Sequence, residues 1–194
     1  MEMNKHQSWV RRLKNFAIFF MVVNGIRVVL QAINVITSLN HKPFEETMMG
    51  KMQGEMGSLG SQGQKAMTIL KQAHEYQHSL PFTLLSLLYL LAFLAIVYLM
   101  FKEWRKLRQE NAQVDLKTKQ AFLTGLVITI AQQIIANLMG LTQSFVKMTA
   151  FSWLTLAISI LLAAVLYGIC LKTYANLAKA GEVVGEKPEP DTRA

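Results

Sequence analysis

The chain has one cysteine, few charged residues and no acidic residue within its long apolar runs. Cys170 has no second cysteine to pair with, which excludes an intramolecular disulfide and a cysteine-based metal framework. Without carboxylates in the apolar runs, a proton relay of acidic residues across a membrane is also unsupported. The sequence has no phosphate-binding glycine loop and no nucleophile elbow, which argues against ATP hydrolysis and acyl transfer.

Hydrophobic residues make up 52% of the 194 residues, whereas charged residues make up only 16%. The apolar residues are concentrated in four runs, at about 16–38, 80–101, 120–141 and 150–171. At about 1.5 Å per residue, each run is long enough to cross a hydrocarbon core of about 30 Å as a helix. We therefore predict an all-α integral membrane four-helix bundle that forms a single membrane domain over residues 1–194.

Basic residues are distributed unevenly around the four runs. Fourteen of the 20 lysines and arginines lie before the first run, between the second and third, or after the fourth; five lie on the opposite side, and Arg27 lies within the first run. Since basic residues are retained in the cytoplasm, both termini are predicted to be cytoplasmic in a multi-pass protein of a bacterial cell membrane. The net charge of +8 then faces anionic lipid head groups and does not indicate nucleic-acid binding.

Two of the four runs carry polar residues on one helical face, within arcs of about 80° and 140°. The residues are Asn24, Arg27, Gln31 and Asn34 in the first run and Thr129, Gln132, Gln133 and Asn137 in the third. The second and fourth runs lack amides, so the two polar faces are predicted to turn towards each other. The first and third helices should then be neighbours, with amide oxygens of the third accepting hydrogen bonds from Arg27.

Arg27 lies at the middle of the first run, where a buried charge costs at least about 2.5 kcal/mol. Two interpretations follow. In one, the polar faces form interhelical hydrogen bonds that hold the bundle together, each worth about 0.6 to 2 kcal/mol. In the other, Arg27 lies in a polar cavity and binds an anion, a lipid head group or a carboxylate of a partner membrane subunit.

Internal similarities suggest how the helices are arranged. Residues 82–87 weakly match residues 151–156, which together with the polar faces predicts a repeat of two helical hairpins. Small residues of the fourth run are spaced by three and four, which favours close helix packing inside the bundle or in a homo-oligomer. These small residues are Ser152, Thr155, Ser159 and Ala163.

Two segments lie outside the apolar runs. The external segment 40–79 is rich in glycine in its first half, so we predict irregular structure over residues 50–63 and a helix from about Ser61 that continues into the second run at Pro81. The tail 181–194 is rich in acidic residues and proline and is predicted to be disordered.

His74-Glu75-Tyr76-Gln77-His78 is the one motif of catalytic type. Histidines four residues apart share a helix face and can ligate zinc, while Glu75 could activate a bound water. Over these five residues the chain resembles the zinc-binding helix of zincin metalloproteases, which implies a zinc-dependent hydrolase or a non-catalytic zinc or copper site. A segment of about 40 residues is too small to enclose a substrate. An amphipathic juxtamembrane helix without a cofactor is therefore the favoured interpretation.

The sequence favours a small polytopic membrane protein without enzymatic activity: an accessory subunit, an assembly partner or a sensor. Such a protein would act with a partner membrane subunit or with a second copy of itself. The alternative is a small transporter or channel subunit with a polar path around Arg27. An external zinc-dependent hydrolase or metal-binding protein that uses His74, Glu75 and His78 ranks third.

Overall fold

The computed structural model describes residues 2–40, 43–44, 60–109, 114–141, 150–180 and 183–184, which are almost entirely helical. The described helices are α1 (Glu2–Leu39), α2 (Gly60–Gln77), α3 (Leu80–Leu107), α4 (Leu116–Leu141) and α5 (Ala150–Lys179). Two short strands, β1 (Val114–Asp115) and β2 (Val183–Val184), pair in parallel. The all-α prediction is confirmed.

Four of these helices, α1, α3, α4 and α5, are long and apolar enough to cross a membrane. Each contains one of the predicted spans, and each continues beyond its span at the end where the basic residues cluster. The extensions arise because charged residues end a membrane span but do not end a helix. The outward faces are apolar: Ile26, Val29, Ile33 and Ile36 on α1 are all more than half exposed. An apolar surface of this kind suits lipid and not water, as expected of an integral membrane bundle.

The four long helices form a ring in which each packs against the next along the chain. α1 packs chiefly along α3, α3 packs against α4, α4 against α5, and α5 returns to α1. α1 and α4 therefore face each other across the centre, and the prediction that the first and third spans pack as neighbours is wrong. The reason is connectivity, because an up-and-down chain places consecutive helices side by side and puts the first and third on a diagonal. The predicted repeat of two hairpins stays a prediction.

The apolar core fills the end of the bundle at which α1 begins and α5 ends, which we call the basic end. Phe20 of α1 stacks on Tyr167 of α5 with ring centroids 4.1 Å apart and planes at 10°. The same ring meets Phe122 of α4 edge-on at 6.3 Å. Ile96 and Met100 of α3 complete the packing between these helices. Three of the four membrane-length helices thus meet at Phe20, although α1 and α4 lie on a diagonal.

The basic end is closed by the two short strands. Val114 and Val183 are aligned in the parallel pair and are both buried in the core. The predicted disorder of the tail is therefore wrong at Val183 and Val184, because Val183 packs into the apolar core. Residues 181–182 and 185–194 lie outside the described part of the chain. At the start of α4, Asp115 accepts a hydrogen bond of 3.0 Å from the backbone N–H of Thr118.

Lys106 of α3 forms an ion pair with Asp115 and so ties α3 to the start of α4. Burial alone would raise the pKa of the Asp115 carboxyl group. The hydrogen bonds from Lys106 and from Thr118 outweigh that effect, so the pKa lies below its ordinary value. The capping interaction at α4 is therefore present at neutral pH and is lost only when acid protonates this carboxylate.

On the opposite side of the bundle, α2 leads into α3 through a sharp turn. α2 begins at Gly60, whose φ of +70° is accessible to glycine at little cost. The helix does not continue to Pro81 as predicted: it ends at Gln77, and Ser79 caps the start of α3 by accepting a hydrogen bond of 3.4 Å from the Phe82 N–H. The break follows from Pro81, which favours the first turn of a new helix over the interior of a continuing one. The irregular stretch predicted over residues 50–63 lies mostly outside the described residues.

Candidate functional site

Arg27 lies half-buried in the middle of α1. Its guanidinium carbon is 5.7 Å from the centroid of the Phe93 ring on α3, a favourable contact between a cation and an aromatic face. Within the described part of the chain it has no hydrogen bond and no ion pair. The predicted hydrogen bonds to the amide oxygens of α4 are therefore not formed, because α4 lies on the diagonal from α1.

Arg27 belongs to the walls of two cavities. One has a volume of about 190 Å³ and lies between α1, α4 and α5; we call it the α5-side cavity. Its polar lining is formed by Asn24, Arg27, Thr129, Gln133, Ser159 and Tyr167. The other has a volume of about 340 Å³ and lies between α1, α3 and α4; we call it the α3-side cavity. Its polar lining is formed by Arg27, Gln31, Asn34, Tyr89, Gln132 and Gln133.

Seven of the eight residues predicted for the polar cluster line one or both of these cavities. Arg27 and Gln133 line both and so lie between the two. The eighth, Asn137, lines neither, and its side-chain nitrogen donates a 2.8 Å hydrogen bond to the backbone oxygen of Gln133 on its own helix. The polar faces of α1 and α4 thus meet around cavities and not as a directly hydrogen-bonded pair.

Hydrogen bonds between helices hold the α3-side cavity in place. The side-chain nitrogen of Gln31 donates to the backbone oxygen of Ser86 on α3 at 3.2 Å. The hydroxyl group of Tyr89 on α3 donates to the backbone oxygen of Gln132 on α4 at 3.2 Å. These bonds are interhelical packing interactions of the kind expected in membrane bundles. Neither of them involves Arg27.

Three buried polar atoms of the cavity walls have no hydrogen-bond partner among the described residues. They are Oδ1 of Asn24, Nε2 of Gln132 and the hydroxyl oxygen of Tyr167. Asn24 and Tyr167 are each only 2% exposed. The Tyr167 hydroxyl lies near Thr129 on α4. Leaving such a group unpaired costs about 1 to 3 kcal/mol, so these atoms are suited to a polar occupant of the cavities.

The sequence did not indicate several residues that line the cavities. Tyr89, Phe93 and Tyr167 lie on α3 and α5, the helices whose runs lack amides, and Ser159 of α5 was assigned only to helix packing. One available signal was the position of Tyr89 near the middle of its run, since membrane tyrosines usually lie at the interfaces. The four-residue spacing of Ser159, Ala163 and Tyr167 was the other, because it places all three on one side of α5.

His74 and His78 lie side by side where α2 meets α3. Their ring centroids are 4.5 Å apart with planes at 61°. Nδ1 of His78 lies 3.1 Å from the backbone oxygen of Ser38 on α1, and the His74 ring packs edge-on against Phe44 at 5.5 Å. The pair therefore joins α2 to the end of α1.

No group of three metal-binding side chains occurs among the described residues. A zinc site needs a third protein ligand. The histidine and the glutamates of the external segment that precede α2 lie outside the described residues. They are His41, Glu45, Glu46 and Glu55. Zinc or copper at His74 and His78, with Glu75 as a base, stays a prediction.

The lining of the two cavities combines one cation with amide and hydroxyl donors and no acidic residue. Such a set suits an anionic group with several oxygen acceptors, because a guanidinium group and O–H or N–H donors can bind it together. No protein-family model, curated protein or solved structure matches this chain.

Proposed function

We propose that this multi-pass membrane protein recognises an anionic group at Arg27 and acts, without catalysing a reaction, as a sensor or an accessory component. The observation that carries the proposal is that Arg27 lines two cavities and has no hydrogen bond or ion pair among the described residues. The anionic group would be presented by a small ligand, by a partner membrane subunit or by a second copy of the chain.

Energetics favour recognition over packing as the role of Arg27. A cation at the middle of a span costs at least about 2.5 kcal/mol. The interhelical hydrogen bonds at Gln31 and Tyr89 are made without it, so the bundle does not need this charge in order to pack. An anionic occupant would offset the cost of the charge. In the α5-side cavity it would give the Tyr167 hydroxyl an acceptor, and in the α3-side cavity it would give one to Gln132.

The test is the thermal stability of the purified protein in detergent micelles as hexanoate is added. We expect hexanoate to raise the melting temperature of the wild type, because a ligand at 100 times its Kd stabilises the folded state by about 2.7 kcal/mol. Arg27→Gln should abolish this response, while replacing Arg11, an exposed arginine that lines neither cavity, with glutamine should keep it. Equal responses of Arg27→Gln and the wild type would refute recognition at Arg27.

A transport role is the second candidate, and it is favoured by one observation. Arg27 and Gln133 line both cavities, so an anion bound at Arg27 would have space on either side of it. Anion efflux from proteoliposomes that Arg27→Gln abolishes would support a small transporter or channel subunit. Hexanoate binding without any flux would instead support the sensor or accessory role.

The cytoplasmic location of both termini is part of the same proposal, and the asymmetry of fourteen basic residues against five supports it. Reporter fusions after Lys119 and after Arg193 should report the cytoplasm of a bacterial host, and a fusion after Ser61 should report the outside. A cytoplasmic signal from the Ser61 fusion would reverse the orientation of every segment.

A further inference from the structure

A groove runs along the boundary between α1 and α5, from the basic end of the bundle towards Arg27. Its first part is a cavity of about 340 Å³ lined by Arg12, Asn15, Phe16, Phe19 and Leu166. Phe19 and Leu166 also line the α5-side cavity, so the two cavities adjoin. The groove is open because α1 packs chiefly along α3 and much less closely against α5.

The groove changes in character along its length. Arg12 and Asn15 are exposed at its outer end, where α1 carries most of its basic residues. Further along, the walls are the apolar side chains of Phe16, Phe19 and Leu166. On α1, Asn15 and Phe16 follow Arg12 by three and four residues, and Phe19 follows them by four and three, which places all four on one helix face. From its outer end inwards, this face thus presents the cation of Arg12 and the amide of Asn15, followed by the apolar rings of Phe16 and Phe19.

The depth of the groove matches that of a lipid. Arg12 and Phe19 are separated by about 10 Å along the helix axis, at about 1.5 Å per residue. This distance runs from the head-group region well into one leaflet, whose hydrocarbon half is about 15 Å thick. Within the described part of the chain, Arg12 has no hydrogen bond or ion pair of its own. Phe19 is 45% exposed, so the apolar wall is open at its side to hydrocarbon.

We propose that this groove binds one anionic phospholipid from the leaflet at the basic end of the bundle. The phosphate group lies at Arg12 and Asn15, and one acyl chain lies along Phe16, Phe19 and Leu166. A free anion would not use the apolar walls, and a zwitterionic lipid would gain less from the unpaired charge of Arg12. The proposal is independent of the ligand at Arg27, because that residue lies beyond the part of the groove that holds the lipid.

The test measures lipid retained by the purified protein. Protein in detergent micelles is incubated with equal amounts of phosphatidylglycerol and phosphatidylcholine, and bound lipid is counted by native mass spectrometry. We expect one phosphatidylglycerol per chain in the wild type. Arg12→Gln should weaken its binding about tenfold, the equivalent of losing one charge-assisted hydrogen bond of about 1.4 kcal/mol.

Two further variants distinguish a specific lipid site in the groove from unspecific attraction of anionic lipid to the basic end. Arg11→Gln removes a neighbouring exposed charge that does not line the groove, and it should leave the bound lipid in place. Leu166→Trp should reduce binding of phosphatidylglycerol by filling the path of the acyl chain while Arg12 remains. Arg27→Gln should retain the lipid, although it loses the response to hexanoate, so the two proposals fail separately.

Three results would overturn the lipid site. The first is equal weakening by Arg11→Gln and Arg12→Gln, which would indicate an unspecific effect of surface charge. The second is equal binding of phosphatidylcholine, which would show that Arg12 does not select the lipid. The third is a lipid-free dimer, in which a second copy of the chain covers the groove.

Discussion

Replacing Tyr167 with alanine should lower the free energy of unfolding by about 3 to 5 kcal/mol, the usual cost of removing a large aromatic ring from a core. Tyr167 is 2% exposed, and its ring is stacked on Phe20 at the point where α1, α4 and α5 meet. The loss would be measured by unfolding the purified protein with increasing denaturant in detergent micelles and following its helical circular dichroism.

Tyr167→Phe is the matched control, because it keeps the ring and removes only the hydroxyl group. That hydroxyl has no hydrogen-bond partner among the described residues, so its removal should not destabilise the protein and should relieve a cost of about 1 to 3 kcal/mol. A loss as large as that of the alanine variant would show that the hydroxyl group is satisfied in the folded protein. No loss in the alanine variant would contradict the packing of Phe20 on Tyr167.

The helices could be predicted from the sequence because length and apolar character decide which segments can cross a membrane. Which helices pack together could not be predicted on the same basis. Several lipid-facing residues, such as Ile26 and Leu84, resemble core residues in the sequence, since lipid and protein interiors are both apolar. The pairing of α1 with α3 depends on connectivity and on side-chain shape, which hydropathy does not report.

The polar site was predictable in its composition and not in its geometry. Amides and an arginine within a span must face the protein, which identified Arg27, Gln31 and Gln133. In the structure these residues line cavities, and the predicted hydrogen bonds between Arg27 and the amides of α4 are not formed. The neighbour of the Arg27 guanidinium group is the Phe93 ring. Tyr167 was missed because a single tyrosine in an apolar run is equally compatible with lipid, core or cavity.

Val183 shows why a disorder prediction from composition can be wrong over two residues. The tail is polar as a whole, but Val183 and Val184 are apolar and lie close in sequence to the end of α5. Val183 is therefore within reach of the core at Leu177 and Val114, and burying one such side chain contributes about 1.5 to 3 kcal/mol. A prediction from the average composition of the tail does not include the stabilisation from one buried side chain.

Two glycines of the membrane helices should respond in opposite ways to the same substitution. Gly125→Ala should destabilise the protein, because the new Cβ atom would lie 2.9 Å from the Tyr167 hydroxyl oxygen and 3.0 Å from a carbon of its ring. Overpacking of this kind costs about 1 to 3 kcal/mol. Gly168→Ala should be neutral or stabilising by up to about 1 kcal/mol, because nothing lies within 4 Å of its Cβ position and alanine favours the helix.

The two glycine variants share the same chemical change in a helix interior, so the difference between their denaturation midpoints isolates the contact with Tyr167. In the Tyr167→Ala background the ring is absent, and Gly125→Ala should lose most of its cost. A Gly125→Ala variant as stable as Gly168→Ala in the wild-type background would mean that α4 and α5 do not approach each other at this position, and the α5-side cavity would then lack the wall that Tyr167 gives it.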